Sequence, residues 1–280
     1  MKYTTKTTML ASLLAITFSS LALNANAVSS AESAVGPLLD NAIAGDHRSA
    51  KNKARDSQRH PKETLMFFGV KPDMKVLEIL PGGGWYTEIL APALKGRGQL
   101  TVASFGADNP SDYMRNTHNS YVANMEANPH VYGAVNVALF EDEGYLTKIA
   151  RDSQDLVLTF RNSHNWIRFG GIEQAYKSFN RVLKKGGVLG VVQHRAAPDA
   201  DVKQAAEKGY IPQAYLIELV ESMGFKLLAQ SEINANVKDT KDHSKGVWSL
   251  PPSYREKDQN REKYRAIGET DRMTLRFVKL

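Results

Sequence analysis

The chain has 280 residues, 36 basic against 30 acidic side chains for a formal charge of +6, and no cysteine. That length suits one large α/β domain with a full core, and the missing cysteine excludes disulfides, thiolate metal sites and lipid attachment through a thiol. A basic excess this small reads as a solvated surface and not as a nucleic-acid footprint, even at its densest cluster, Arg48, Lys51, Lys53, Arg55 and Arg59.

Residues 1–27 read as a signal peptide. Lys2 and Lys6 precede an apolar stretch from Met9 to Leu23, and Ala25-Asn26-Ala27 supplies small residues for cleavage before Val28. The apolar part is short and carries Thr17, Ser19 and Ser20, which makes it a poor membrane span. No later segment is long and apolar enough to cross a bilayer. The expectation is an exported, periplasmic protein without stable membrane insertion, its charge reduced to about +4 by loss of the two lysines. Residues 28–280 then form the domain. Its N-terminal extension (28–70) is expected to be helical over 35–43, 49–58 and 61–68, with Pro61 in a first turn and Gly69 as a stop.

Lys71-Pro72-Asp73 turns the chain into a short apolar run, Val76, Leu77, Ile79 and Leu80. Pro81 and the glycines Gly82, Gly83 and Gly84 break that run, and a helical pattern resumes with Trp85, Ile89 and Leu94. A buried strand, a turn needing unusual backbone angles and a helix N-terminus in succession make a site for a nucleotide-type ligand. Glu78, near the strand's carboxyl end, can accept hydrogen bonds from an amino or hydroxyl group. A phosphate-binding P-loop is excluded because no Gly-Lys-Ser/Thr follows. The dinucleotide fingerprint fails as well, since Thr87 stands where its third glycine belongs.

Further strands are expected over 99–103, 131–139, 155–160, 188–192, 225–230 and 273–278, with helices over 112–127, 172–183 and 213–223. Seven strands with helices between the first five predict a doubly wound α/β sheet. Residues 234–269 form a long polar connection, and Trp248, Leu250, Tyr254 and Tyr264 give it the anchors of a packed cap.

In such sheets ligands sit beyond the carboxyl ends of the strands, where the strand order reverses. Three strings are expected to meet there: Glu78 with the glycine loop, Arg161-Asn162-Ser163-His164-Asn165-Trp166 after the fourth strand, and Gln193-His194-Arg195 after the fifth. His164 is the candidate general base, because an ordinary imidazole titrates near working pH. Holding the loop by hydrogen bonds is its other open role. Asn162 and Arg161 complete the candidate catalytic set. Arg161 and Arg195 can either bind an acidic acceptor or clamp a loop, and His194 is expected behind the site. Trp85 is expected to pack the helix on the sheet. The seven histidines show no metal-binding spacing, so no metal is expected, and no Gly-x-Ser-x-Gly elbow marks a serine hydrolase.

Glu78-x-x-x-Gly82-x-Gly84 resembles the first motif of class I S-adenosylmethionine-dependent methyltransferases, which usually reads acid-x-Gly-x-Gly-x-Gly, so Leu80 replaces a glycine. Arg59-His60-Pro61, Phe67-Phe68-Gly69, the stretch from Leu77 to Glu88, Phe160 to Trp166 and Ile267 to Met273 extend the likeness to a family of exported methyltransferase-like proteins. The resemblance implies the class I methyltransferase fold, a last strand antiparallel between strands five and six, and S-adenosylmethionine as cofactor. It implies cofactor binding by Glu78, Pro81, Gly82, Gly83, Gly84, Tyr86, Thr87 and Ser104. The family usually has a ribose-gripping acid at the position of Ser104, and a neutral residue weakens that contact. The acceptor implied is a small molecule of unspecified structure. Two other readings stay open. S-adenosylmethionine is made in the cytoplasm, and a Sec-exported chain crosses unfolded, so a non-catalytic periplasmic binding or assembly protein on the same scaffold is the second. A nicotinamide oxidoreductase is the third, opposed by the missing glycine.

Overall fold

The computed structural model describes residues 35–140 and 145–280, and the expected signal peptide lies outside them. A helix over 35–44 (α1) leads into two single turns, α2 (Ala50–Lys53) and α3 (Asp56–Arg59), and then α4 (Pro61–Phe67). The one helix expected over 49–58 is therefore broken. Ser49 caps α2, its hydroxyl accepting from the Asn52 N–H at 3.2 Å, and His60 takes a left-handed φ of 41° that redirects the chain into α4. This extension is not a solvated basic face. Arg48 and Arg59 are both 3% exposed, and Arg48 pairs with Asp56 and Glu88, each at 2.7 Å.

The alternating part follows as β1 (Lys75–Ile79), α5 (Thr87–Leu94), β2 (Gln99–Ser104), α6 (Asp112–Ala127), α7 (Pro129–Tyr132), β3 (Asn136–Leu139) and β4 (Gln154–Phe160). Next come α8 (Ser163–Arg168), α9 (Ile172–Val182), β5 (Leu183–His194), α10 (Val202–Glu207), α11 (Gln213–Ser222) and β6 (Phe225–Ser231). α12 (Arg261–Ile267) and β7 (Arg272–Lys279) complete it. The seven strands order as β3-β2-β1-β4-β5-β7-β6. The first five run parallel, and β7 is antiparallel to both β5 and β6. This is the doubly wound sheet with an inserted antiparallel last strand.

Strand alternation divides the core. Val76, Leu156, Leu158 and Phe160 face one layer with Leu65 and Phe68 of the α4 region, Ile89 and Leu90 of α5 and Tyr121 of α6. Leu77, Ile79, Val157, Leu189 and Val191 face the other with Tyr176 and Phe179 of α9 and Leu216 and Val220 of α11. Coverage on both faces is why these strands read as continuous apolar runs. Each such Leu or Phe, fully buried, contributes about 1.5–3 kcal/mol.

Three expectations need correction. The run 131–139 is not one strand, because Pro129 opens α7, Gly133 caps it, and only the last four residues pair as β3. β5 starts at Leu183, the Lys184–Gly187 turn being absorbed as an irregularity where the register shifts between Gln154 and Leu156. The connection from β6 to β7 does contain a helix, α12, but at seven residues it makes no crossover. Within 234–269, Leu250 and Tyr264 are buried. Asp239 ties the segment down by accepting from the Tyr210 hydroxyl at 3.1 Å and the Asp271 N–H at 2.8 Å. Among the described residues no helix is long and apolar enough to cross a membrane.

Candidate ligand-binding and active site

The turn after β1 demands a left-handed residue at position 80, and Leu80 supplies it with φ 45°. A side chain there costs about 1–3 kcal/mol and needs outside support. The Leu80 N–H donates to Ala103 O at 2.8 Å, and the Asn162 amide donates to Ile79 O at 3.0 Å and to Thr159 Oγ1 at 3.2 Å. Asn162 is thus a clamp from the end of β4 onto the entry of the glycine loop. The loop itself has an open side and a packed side. A Cβ on Gly84 would meet the Tyr121 ring at 2.9 Å, whereas one on Gly82 or Gly83 would meet nothing within 4 Å. The backbone at 82 and 83 therefore borders empty space.

Behind the loop lies a buried polar layer. Glu78, 1% exposed, accepts from the Thr87 hydroxyl at 2.6 Å, and Tyr121 donates to Thr87 Oγ1 at 3.2 Å. Burial pushes the Glu78 carboxyl up to about 7, against the opposing Thr87 bond and the charge of Arg161. Ser104 is turned to His118, its Oγ 3.1 Å from Nδ1. Tyr86 stacks on Phe160 with ring centroids 3.6 Å apart, as part of the core. Trp85 packs as expected, donating to Asn52 O at 3.1 Å, with the Arg48 and Arg59 guanidinium groups over its ring at 5.3 and 4.8 Å.

In front of the loop is a cavity of about 920 Å³. Of the residues picked out from sequence, Pro81, Gly82, Gly83, Arg161, Asn162 and His164 line it together; Glu78, Gly84, Tyr86, Thr87 and Ser104 do not. His194, expected behind the site, is on the wall. Trp85, Asn165 and Trp166 join them, and the sequence gives no sign of the others: Arg55 and Arg59 from the N-terminal extension, Trp248 and Arg255 from the 234–269 segment, and Glu269 and Thr270 ahead of β7. Arg59 and Glu269 stood inside strings already singled out, yet nothing local signals that they meet.

His164 and His194 are buried and neutral. Gln193 Nε2 is held by Gly209 O at 3.0 Å and donates its other hydrogen to His164 Nδ1 at 3.3 Å. This network leaves the proton of neutral His164 on Nε2, so the ring presents a donor and its lone pair is already engaged. Burial, aided by the charges of Arg168 and Arg161, pushes His164 down to about 4, against the Gln193 bond. His194 Nδ1 lies 2.6 Å from Thr270 Oγ1, and burial, with the charges of Arg161, Arg272 and Arg59, holds its pKa well below the usual imidazole range. Arg195 resolves as a clamp, bound to Asp271 at 2.9 Å and Glu232 at 2.6 Å.

These shifts have a consequence for acid stability. His164 is expected to bind a proton at 6.5 when unfolded and only at about 4 when folded. Its stabilising contribution is present above 6.5 and is lost as pH falls from there to 4, on the order of 2–3 kcal/mol in all. Urea unfolding of wild type and His164→Gln at pH 7 and pH 4 checks this: the variant's stability falls less steeply with acid.

Among the described residues no group of His, Asp and Glu is placed to hold a metal ion. No protein-family model matches the sequence. No curated protein matches it either. Solved structures do match in fold. An S-adenosylmethionine-dependent methyltransferase from Aquifex aeolicus superposes with a TM-score of 0.53 at 13% identity, covering 81% of this chain and 93% of its own. CrArsM, an arsenic(III) S-adenosylmethionine methyltransferase from Chlamydomonas reinhardtii, gives 0.52 at 15% identity over 87% of this chain and 74% of its own. The cyclase SpnF gives 0.55 at 15% identity over 90% and 95%. The chain has the class I methyltransferase fold, a scaffold on which these neighbours carry different chemistry.

Proposed function

We propose that the protein binds S-adenosylmethionine against Gly82 and Gly83 and transfers its methyl group to a small-molecule acceptor in the same cavity. The observation that carries this reading is the open backbone at these two glycines, set at the carboxyl end of β1 where the strand order reverses. The residues fit the group in part. The cradle is one that a Cβ would fill, and the Glu78 carboxylate lies directly behind it in a low-dielectric layer. Ser104, bonded to His118, offers no charged acceptor to a ribose, so adenosine recognition falls to the open backbone and the apolar walls.

When bound, the cofactor supplies a methyl carbon already activated by the sulfonium. What the chain does is align. Asn162 fixes the loop through the carbonyl of Ile79, and His164 offers a donor from Nε2 to a ligand oxygen or nitrogen. With its lone pair engaged, His164 is an orienting group and not the base. The acceptors that fit are those needing no strong base for deprotonation.

Isothermal titration with S-adenosylmethionine, followed by transfer of a labelled methyl group in cell extract, tests the reading. No binding at millimolar cofactor sinks it, and binding without transfer to any acceptor places the protein among non-catalytic binders. Affinity should also depend on pH. A cationic ligand favours ionised Glu78, whose pKa of about 7 lies within reach, so binding should weaken about three- to tenfold from pH 8 to pH 6. Glu78→Gln should flatten that dependence. The reading also takes in export directed by residues 1–27. Recovery of the chain only from cytoplasm, with Met1 intact, would remove that part.

A further inference from the structure

Three guanidinium groups converge on a single carboxylate at the cavity wall, and a fourth, that of Arg161, lies in its field. Glu269 receives Arg55 Nε at 2.8 Å, Arg59 Nε at 3.0 Å and Arg272 Nη1 at 2.8 Å. The Arg161 side chain makes no hydrogen bond or ion pair with any described residue. Arg59 Nη1, Arg161 Nη1 and Arg272 Nε are all buried without a partner. Arg59 is 3% exposed and Arg272 2%. Uncompensated positive charge and orphaned donors in an interior are unfavourable, and proteins keep them where a ligand completes the set.

The excess charge borders the cavity. Arg55, Arg59 and Arg161 all line it. Arg161 is pinned by a left-handed backbone, φ 64°, with its N–H donating to Val192 O at 2.7 Å. The Arg59 guanidinium is fixed 4.8 Å above the Trp85 ring. The Arg59 guanidinium, held by the ring and by Glu269, is preorganised for a planar or tetrahedral oxyanion, and the Arg161 backbone fixes where its side chain starts. The other titratable groups that meet this charge are known. Glu269 is neutralised several times over. Glu78 also lies in the field of Arg161, but it is bonded to Thr87 and burial raises it to about 7. His164, His194 and Tyr86 are neutral and lie in the arginines' field. Together they do not offset four guanidinium charges.

We propose that Arg59 and Arg161, with Arg55 at the rim, form a seat for the carboxylate or other compact oxyanion of the acceptor, whose apolar body rests on Phe160, Phe169 and Trp248. This assignment rests on the reading above only in taking the cavity as a ligand site. The oxyanion belongs to the acceptor because Arg161 lines the cavity beside His164 and His194, at the ends of β4 and β5, where the acceptor meets the Nε2 donor. The acceptor class is thus a small organic acid.

The test uses thermal unfolding and isothermal titration of the wild-type chain and Arg161→Gln, with benzoate, inorganic phosphate and neutral benzamide as probes. Benzoate should raise the wild-type midpoint and benzamide should not. Arg161→Gln should keep or raise the unliganded midpoint, since it removes an unpaired charge, while weakening benzoate by about tenfold or more. Benzoate should still bind in the presence of saturating S-adenosylhomocysteine. Equal benzoate affinity in the variant, no benzoate or phosphate binding by wild type, or a steep fall in the variant's unliganded midpoint would each overturn the seat. Displacement of benzoate by S-adenosylhomocysteine but not by 5′-methylthioadenosine, which lacks the carboxylate, would hand the arginines to the cofactor and overturn the acceptor assignment. Arg161-dependent benzoate binding without any S-adenosylhomocysteine binding would support the seat while removing the methyltransferase reading.

Discussion

Glu269→Gln is expected to lower folding stability by about 3–5 kcal/mol, because removing one partner of a buried ionic cluster leaves the other charges uncompensated. Glu269 is 5% exposed and lies in the combined field of Arg59, Arg272, Arg55 and Arg161. Burial by itself would push its carboxyl up, but the summed fields of those arginines outweigh burial and hold it at about 2. The sign follows from linkage. A carboxyl that titrates at 4.5 when unfolded and about 2 when folded contributes its full stability above 4.5 and loses it as pH falls towards 2. Urea unfolding at pH 7 should therefore show a large gap between wild type and Glu269→Gln, and at pH 3 that gap should narrow. Phosphate should restore part of the loss at pH 7 by entering the same cluster. A variant as stable as wild type at pH 7 would mean that the arginines are not held by this residue.

The second large effect is on binding without a matching effect on folding. Gly83 does not need the left-handed region, and a Cβ there meets nothing within 4 Å. Gly83→Val should leave stability within about 0.5 kcal/mol. It should weaken S-adenosylmethionine about a hundredfold, because the isopropyl group occupies the space in which the ligand approaches the backbone. Gly84→Ala is the converse control. Its φ of 78° and the Tyr121 ring at 2.9 Å make any side chain a strain on the fold, costing about 1–3 kcal/mol. Titration calorimetry and thermal unfolding on the two variants separate the effects. Cofactor affinity undiminished in Gly83→Val would mean that the ligand does not use this face of the loop.

The sheet could be read from sequence because its strands are buried on both sides. Leu156, Val157 and Leu158 alternate between two apolar layers, so the strand appears as an unbroken apolar run. The same rule misleads at 131–139, where Val131 and Tyr132 are buried on a helical turn. Apolar content does not distinguish a short helix from a strand, and Pro129 was the informative residue. The string 163–168 looked like a loop because it is polar. It forms α8 because Trp166 packs into the core and Ser163 bonds Tyr176 at 2.8 Å. The glycine loop was legible since glycine is the signature of its geometry. That Leu80 takes the left-handed angle without being glycine depends on Asn162, 82 residues away. The arginine wall was least legible. Arg55 and Arg59 looked like a solvated helix face, and their role is created by Glu269, more than 200 positions distant in the chain. No periodicity encodes such a meeting.

The placement of β7 between β5 and β6 governs the order in which the molecule can be finished during its synthesis. β5 and β6 precede β7 in the chain, and until β7 docks each presents a bare edge able to join the other or a neighbouring chain. The slot between them has to stay vacant until the strand that fills it emerges. Glu269, Thr270 and Asp271 come in with that strand, so Arg55 and Arg59 gain their counter-charge only when it docks. The sheet edge and the cavity wall are therefore completed in one step, by the docking of a single strand.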